Sequence, residues 1–156
     1  MTDQLQPGDR APAFDLACDG EKNLSSAELP GKIVVLYFYP KDDTPGCTNQ
    51  AKGFSALSEE LAKAGAVVIG VSKDSTASHK RFRAKHDLTI ALGSDPKGTT
   101  IETYGAWVEK SMYGRTYMGI ERSTFLIDAA GVVRKVWRKV KVPGHAEAVL
   151  AEIKAL

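Results

Sequence analysis

Two cysteines among 156 residues, Cys18 and Cys47, are too few and too far apart to form the disulfide framework of a small secreted domain. Neither starts a Cys-x-x-Cys pair, because residue 50 is Gln, so a disulfide oxidoreductase lacks its motif. The three histidines, His79, His86 and His145, show no metal-ligand spacing, and no metal site is expected. No apolar run approaches the ~20 residues of a membrane span. The first ten residues are polar, without the basic-then-apolar layout of a signal peptide. A net charge of +2 is too small to argue for nucleic acid or a membrane surface as a partner. Neither Gly-x-Gly-x-x-Gly nor a phosphate-loop lysine is present, so nucleotide binding has no motif. A thiol-rich compartment, the cytoplasm, is the expected location.

A chain of this length suffices for one ordinary domain, 1–156, with a core that needs neither disulfide nor metal. Apolar content of 43% and charged content of 26% are those of a globular protein. Strand and helix patterns alternate. A hairpin is expected over residues 13–24, turning at Cys18-Asp19-Gly20-Glu21. The continuous apolar run 33–39 reads as a strand buried on both faces. Residues 48–64 read as one long helix with Phe54, Leu57 and Leu61 on its inner face. A strand at 66–71, a helix from Ser75 or Thr76 to His86, and a brief strand at 89–92 follow. Residues 99–104 suggest a helical turn, 123–128 and 132–137 two strands, and Pro143 opens the last helix. Such alternation predicts an α/β three-layer sandwich with a central sheet.

Cys47 stands in Pro40-Lys41-Asp42-Asp43-Thr44-Pro45-Gly46-Cys47-Thr48, directly after that apolar strand. Pro45 and Gly46 make a turn rather than a core, and a helix begins at or just before the cysteine. A thiol in the first turn of a helix faces unpaired N–H groups and the positive end of the helix dipole. Both favour the thiolate, which is the reactive form. Thr44 is placed to cap this helix or to hydrogen-bond whatever sits at the sulfur. Ligands of open α/β sheets bind at the carboxyl ends of strands, where Thr44 and Cys47 fall.

The string Pro40…Thr44-Pro45-Gly46-Cys47 resembles the Pro-x-x-x-Thr/Ser-x-x-Cys signature of the peroxiredoxins, thiol peroxidases of thioredoxin-like fold. The longer run from Tyr37 to Thr48 resembles their bacterioferritin comigratory protein, or peroxiredoxin Q, subfamily. So do Lys110-Ser111-Met112-Tyr113-Gly114, Gly119-Ile120-Glu121-Arg122-Ser123-Thr124-Phe125-Leu126-Ile127-Asp128, and the opening Gly8-Asp9-Arg10-Ala11-Pro12-Ala13-Phe14. The resemblance spans essentially the whole chain. It implies a thioredoxin-like sandwich with a mixed sheet and an N-terminal hairpin. It also implies that Cys47 attacks hydrogen peroxide or an organic hydroperoxide and becomes sulfenic acid. Thr44 would hydrogen-bond the peroxide, Pro40 would shield the sulfur, and Arg122 would hold thiolate and peroxide together. Backbone N–H groups of Gly46 and Cys47 would complete the substrate site. No cofactor is implied, since sulfur carries the redox change. A thiol reductant such as thioredoxin, glutaredoxin or glutathione would restore the enzyme, acting on a monomer or weak homodimer. Many members carry a resolving cysteine five positions on, but residue 52 is Lys; others carry it near positions 83 and 84, which are Arg and Ala. No resolving cysteine is therefore assigned, and Cys18 is the one remaining candidate; its place in the hairpin turn predicts that it is dispensable.

A Cys-His hydrolase needs a histidine aimed at the end of the strand 33–39. His79 and His86, on a helix that reads as mostly exposed, and His145, at the start of the last helix, read instead as surface or capping residues. A binding or chaperone-like module with an incidental cysteine is the alternative of a different class. The run from Arg134 to Lys141 reads as an amphipathic strand with a solvated basic face. Trp107, Tyr113, Tyr117 and Met118 fall in a stretch that reads as a loop packed on the domain's own core or over Cys47.

Overall fold

The computed structural model describes residues 4–19 and 23–156. Asp15–Cys18 (β1) and Asn23–Ser25 (β2) pair antiparallel as the expected N-terminal hairpin; Gly20 and Glu21 of its expected turn lie outside the described residues. Ile33–Phe38 (β3) leads through a turn into Pro45–Ala56 (α1) and Ser58–Lys63 (α2). Ala66–Ser72 (β4), Thr76–His86 (α3), Ala91–Ser94 (β5) and Thr99–Thr103 (α4) continue the alternation. Trp107–Met112 (β6) and Arg115–Ile120 (β7) are followed by Ser123–Ile127 (β8), Val133–Trp137 (β9) and His145–Lys154 (α5).

Seven strands form one mixed sheet in the order β2-β1-β5-β4-β3-β8-β9, with β3 and β4 at its centre. β3 runs parallel to β4 and antiparallel to β8, so its central residues are fully buried. On one face lie α1, α2, α3 and α5, whose Phe54, Leu61, Phe82 and Val149 pack with Val35, Tyr37 and Cys47. On the other, Ile101 of α4 and Tyr104, the residue that caps its end, pack with Phe38, Phe125 and Val133. The result is the thioredoxin-like three-layer arrangement, with most of the helical mass on one side. Tyr37 lies across β4 at Gly70; a Cβ on Gly70 would come to 2.7 Å from the Tyr37 ring and hydroxyl.

Several elements differ from the sequence expectation: α1 begins at Pro45 rather than residue 48, and the brief strand expected at 89–92 lies at Ala91–Ser94. The long helix 48–64 is broken at Leu57, which leaves helical geometry at φ −101°, ψ 12°. Ser55 accepts from the Thr89 N–H, and Ser58 meets the Thr89 hydroxyl at 2.5 Å, tying both sides of the break to the loop before β5. The break keeps Phe54 and Leu61 inside, so the apolar spacing does not betray it. The apolar stretch near residue 113 is a separate β-hairpin, β6–β7, not a loop packed inward. Met112, Tyr113, Tyr117 and Met118 are exposed, Tyr113 at 97%. The base of the ribbon packs on the domain through Trp107 and Ile120.

The run from Arg134 to Lys141, read as an amphipathic strand, is strand only as far as Trp137. The last helix begins at His145 rather than at Pro143, with Gly144 as its N-cap in the left-handed region. No helix among the described residues is long and apolar enough to cross a membrane.

Candidate active site

The polar turn 40–44 begins where β3 runs out of sheet partners, the Tyr39 N–H making a last bond to the Val71 carbonyl at 3.0 Å. Thr44 is the N-cap residue of α1 in extended geometry, and Pro45 takes the first helical position, where its missing N–H is not needed. Gly46 and Cys47 follow in the first turn. The first helical bond runs from the Thr48 N–H to the Thr44 carbonyl at 2.8 Å. The N–H groups of Gly46 and Cys47 therefore have no partner within the helix and point out of its positive end. Cys47 itself is only 2% exposed.

Arg122 reaches this sulfur from the opposite side, from the short link between β7 and β8. Its Nη2 donates to Cys47 Sγ at 3.3 Å and its Nη1 to Gln50 Oε1 at 2.6 Å. β8 pairs with β3, so the sheet itself brings residues 122 and 47 together across 75 positions of sequence. Gln50 escaped the sequence reading. Its spacing of three from Cys47 on a helix places both on one face, and that was the available signal. Space is tight: a Cβ on Gly46 would lie 3.1 Å from Arg122 Nη2. Tyr37 is buried beneath; burial raises its phenol above the ordinary range, Cys47 adds to the rise, and Arg122 opposes it.

Thr44 makes no side-chain capping bond. Its hydroxyl donates instead to the Lys41 carbonyl at 2.9 Å. That proton is occupied, and the oxygen's lone pairs are left to accept. Pro40 is exposed at the rim of the same turn.

Cys18 is elsewhere. It is the last residue of β1 and pairs with Gly93 on β5, which pairs with Val71 on β4, which pairs with Phe38 on β3. Three strand spacings, ~14 Å, separate Cys18 from the strand that leads to Cys47. Arg122 draws Cys47 toward the β8 side, away from β1. Burial and then the Asp19 charge push the Cys18 thiol up, partly offset by Arg83. Arg83 donates to both Asp19 oxygens and to the Leu88 and Ile90 carbonyls, so position 83 of α3 carries an anchored ion pair.

The histidines differ most from expectation. His79 is fully buried, not a surface residue, and it does face the end of β3: its Nδ1 lies 2.8 Å from Asp42 Oδ2. The signal was the i, i+3 spacing of His79 and Phe82, which puts the histidine on the one apolar face of α3. His145 is also buried, with Nε2 2.8 Å from the Thr124 hydroxyl and its ring edge-on to Phe54 and Trp137. Burial, and then the Arg122 charge, lower its pKa to about 4. His86 alone stays near the surface, bonded to Asp43 at 2.8 Å. No histidine contacts Cys47, the arrangement a hydrolase pair would need, among the bonds of the described residues. Nor do three His, Cys, Asp or Glu side chains gather in a metal-binding group among those residues.

Comparison with known proteins accords with this geometry. Residues 7–136 match the AhpC/TSA family. The chain is 50% identical to the putative peroxiredoxin Bcp of Coxiella burnetii, over 96% of this chain and 99% of that protein. It is 44% identical to peroxiredoxin Bcp of Bacillus subtilis, over 96% of each. Among solved structures, Xanthomonas campestris peroxiredoxin Q superposes with a TM-score of 0.87 at 46% identity, covering 91% of this chain and 90% of that one. A cysteine-to-serine mutant of Xylella fastidiosa PrxQ gives 0.93 at 38% identity, covering 99% and 98%. With the sheet order, the thiol at the helix start and these likenesses in agreement, the chain belongs to the AhpC/TSA family and is a peroxiredoxin of the Bcp and peroxiredoxin Q kind, a thiol peroxidase.

Proposed function

We propose that Cys47 is the thiol at which this peroxiredoxin reduces hydrogen peroxide and organic hydroperoxides. The observation that carries the reading is the Arg122 guanidinium 3.3 Å from a buried sulfur in the first turn of a helix. An arginine stays charged at any working pH, so it supplies a fixed cation for thiolate and for the oxygen anion that forms. The thiolate attacks the nearer peroxide oxygen and the O–O bond breaks. The departing oxygen takes a proton and leaves as water or alcohol, and Cys47 becomes sulfenic acid. Negative charge moves from sulfur toward the leaving oxygen, and the Gly46 and Cys47 N–H groups and Arg122 are the donors along that path. Thr44, its proton given to Lys41, accepts the O–H of the incoming hydroperoxide. Pro40 covers the rim of the site. Alkyl peroxide reduction is described for the bacterioferritin comigratory protein of Xanthomonas campestris, 46% identical to this chain, which supports the organic half of the substrate range.

Resolution falls to an outside thiol. One thiol condenses with the sulfenic acid to release water and form a mixed disulfide, and a second thiol frees Cys47. Thioredoxin, glutaredoxin and glutathione, reductants of the cytoplasm, all offer that chemistry, and a monomer or weak homodimer leaves the site open to them. Cys18, with its raised thiol and the two strands between it and β3, is a poor internal partner. The test is a single equivalent of peroxide followed by mass spectrometry of the intact protein and its peptides. One added oxygen on Cys47, lost in Cys47→Ser and retained in Cys18→Ser, is the expected result. A Cys18–Cys47 disulfide would overturn the one-cysteine cycle, and turnover in Cys47→Ser would overturn the whole reading.

A further inference from the structure

The turn 40–44 holds a buried ion pair that no step above uses. One Asp42 carboxylate oxygen accepts the Tyr39 hydroxyl at 2.5 Å; the other lies 2.8 Å from both the Ser78 hydroxyl and His79 Nδ1. The Asp42 N–H donates to Asp74 Oδ2 at 2.8 Å, and that oxygen also accepts the Ser72 hydroxyl at 2.7 Å. On its far side His79 points Nε2 at the Gly93 carbonyl of β5, 3.0 Å away. Both ring nitrogens thus face acceptor oxygens, an arrangement satisfied only when each carries a proton. His79 is 0% exposed and Asp42 7%.

A buried ion pair is a weak source of stability, because desolvating both charges offsets much of their attraction. Its place in the fold gives it another use. Asp42 lies midway between Pro40 and Thr44, in the segment that joins β3 to the helix of Cys47. Asp43, next to it, sits in the left-handed region at φ 59° and accepts from Lys85 at 2.7 Å and His86 at 2.8 Å, again on α3. Both acids of the turn are held by one helix, and the Thr44 hydroxyl bond to Lys41 spans them.

We propose that Asp42 and His79 are positioning residues for the peroxide-binding turn. His79, anchored on β5, fixes Asp42, and Asp42 fixes Pro40 and Thr44 relative to Cys47. The inference rests on the roles given to Cys47 and Thr44 above. Arg122 reaches the sulfur from the link between β7 and β8 and is steadied by Gln50 of α1, independently of this strap. Loosening the strap should therefore spoil recognition of a peroxide while sparing the thiol as a nucleophile.

Two rates on the same protein separate these effects: alkylation of Cys47 by iodoacetamide, which needs only a nucleophilic sulfur, and its oxidation by hydrogen peroxide, which needs the turn. In Asp42→Ala, oxidation should slow by ~10-fold or more, as expected for a reacting group displaced by a fraction of an ångström, while alkylation stays within about twofold. Asp42→Asn, which keeps an acceptor oxygen, should recover part of the loss. Tyr39→Phe removes the hydroxyl that bonds Asp42 and lies 3.4 Å from His79 Nδ1 but leaves both of those residues in place, and gives a milder case of the same split should Asp42→Ala not fold. Oxidation at the wild-type rate in folded Tyr39→Phe and Asp42→Asn would overturn the proposal, as would equal losses in both rates. Failure of wild-type Cys47 to oxidise at all would instead remove the reading on which the proposal stands.

Discussion

The two cysteines lie toward the same end of one sheet, yet their surroundings oppose each other. Cys47 has a guanidinium at 3.3 Å, open helix N–H groups and almost no solvent. Cys18 is half-buried, donates weakly to the Leu16 carbonyl at 3.7 Å, and has the Asp19 carboxylate as its neighbour. Burial disfavours a thiolate at Cys18, whereas at Cys47 a fixed positive charge meets the sulfur directly. Position on the fold is thus insufficient for reactivity.

The comparison breaks most visibly at Arg122. Arg122→Ala should slow peroxide oxidation of Cys47 by ~10²–10³-fold, the scale for losing one donor to a developing anion. Stopped-flow oxidation measures it, and a wild-type rate would mean that the helix start suffices. Thr44→Val keeps the shape but deletes the acceptor, and a loss of ~10²-fold is expected in the same assay. At Cys18 the contrast can be narrowed from the other side. Asp19→Asn removes the raising charge and leaves Arg83 nearby, so Cys18 should alkylate several-fold faster, read by peptide mass spectrometry after iodoacetamide. An unchanged rate would assign the inertness of Cys18 to burial alone.

The smallest effect concerns the histidine behind Arg122. His145 has its folded pKa lowered to about 4 from 6.5, so below pH 6.5 the unfolded chain binds a proton that the folded one refuses. This contribution to stability is complete above pH 6.5, declines as pH falls toward 4, and levels off below that. Urea midpoints from pH 7 to 4 should fall more steeply in wild type than in His145→Gln. Equal slopes would show that the ring is not held neutral by its surroundings.

How much of this was legible in the sequence follows the range of each interaction. The strand from Ile33, the turn and a helix start close to Cys47 are local, set by an apolar run and by Pro45 and Gly46, and they are legible in the sequence, although α1 begins at Pro45 rather than at residue 48. The likeness to peroxiredoxins supplied the pairing of Arg122 with Cys47, which spacing cannot reach across 75 positions. His79 was misplaced because its partner Asp42 is 37 positions away and a histidine on a charged helix reads as solvated. The break at Leu57 was hidden because one off-helix residue leaves Phe54 and Leu61 inside. The β6–β7 ribbon misled in the opposite sense: its apolar residues belong to a two-stranded hairpin most of which touches no core, so burial could not be inferred from composition.

Gly46 carries a consequence for what can be changed near the sulfur. The guanidinium rests against the bare Cα of the helix's second residue, where one added carbon would stand 3.1 Å from Nη2. The distance between cation and sulfur is therefore set from below by a missing methyl group as well as from the side by Gln50. A substitution as small as Gly46→Ala would act as a wedge, lifting the arginine while every group that bonds to it stayed in place. The vacancy beside the thiol is as much a part of its electrostatics as the charge that fills it.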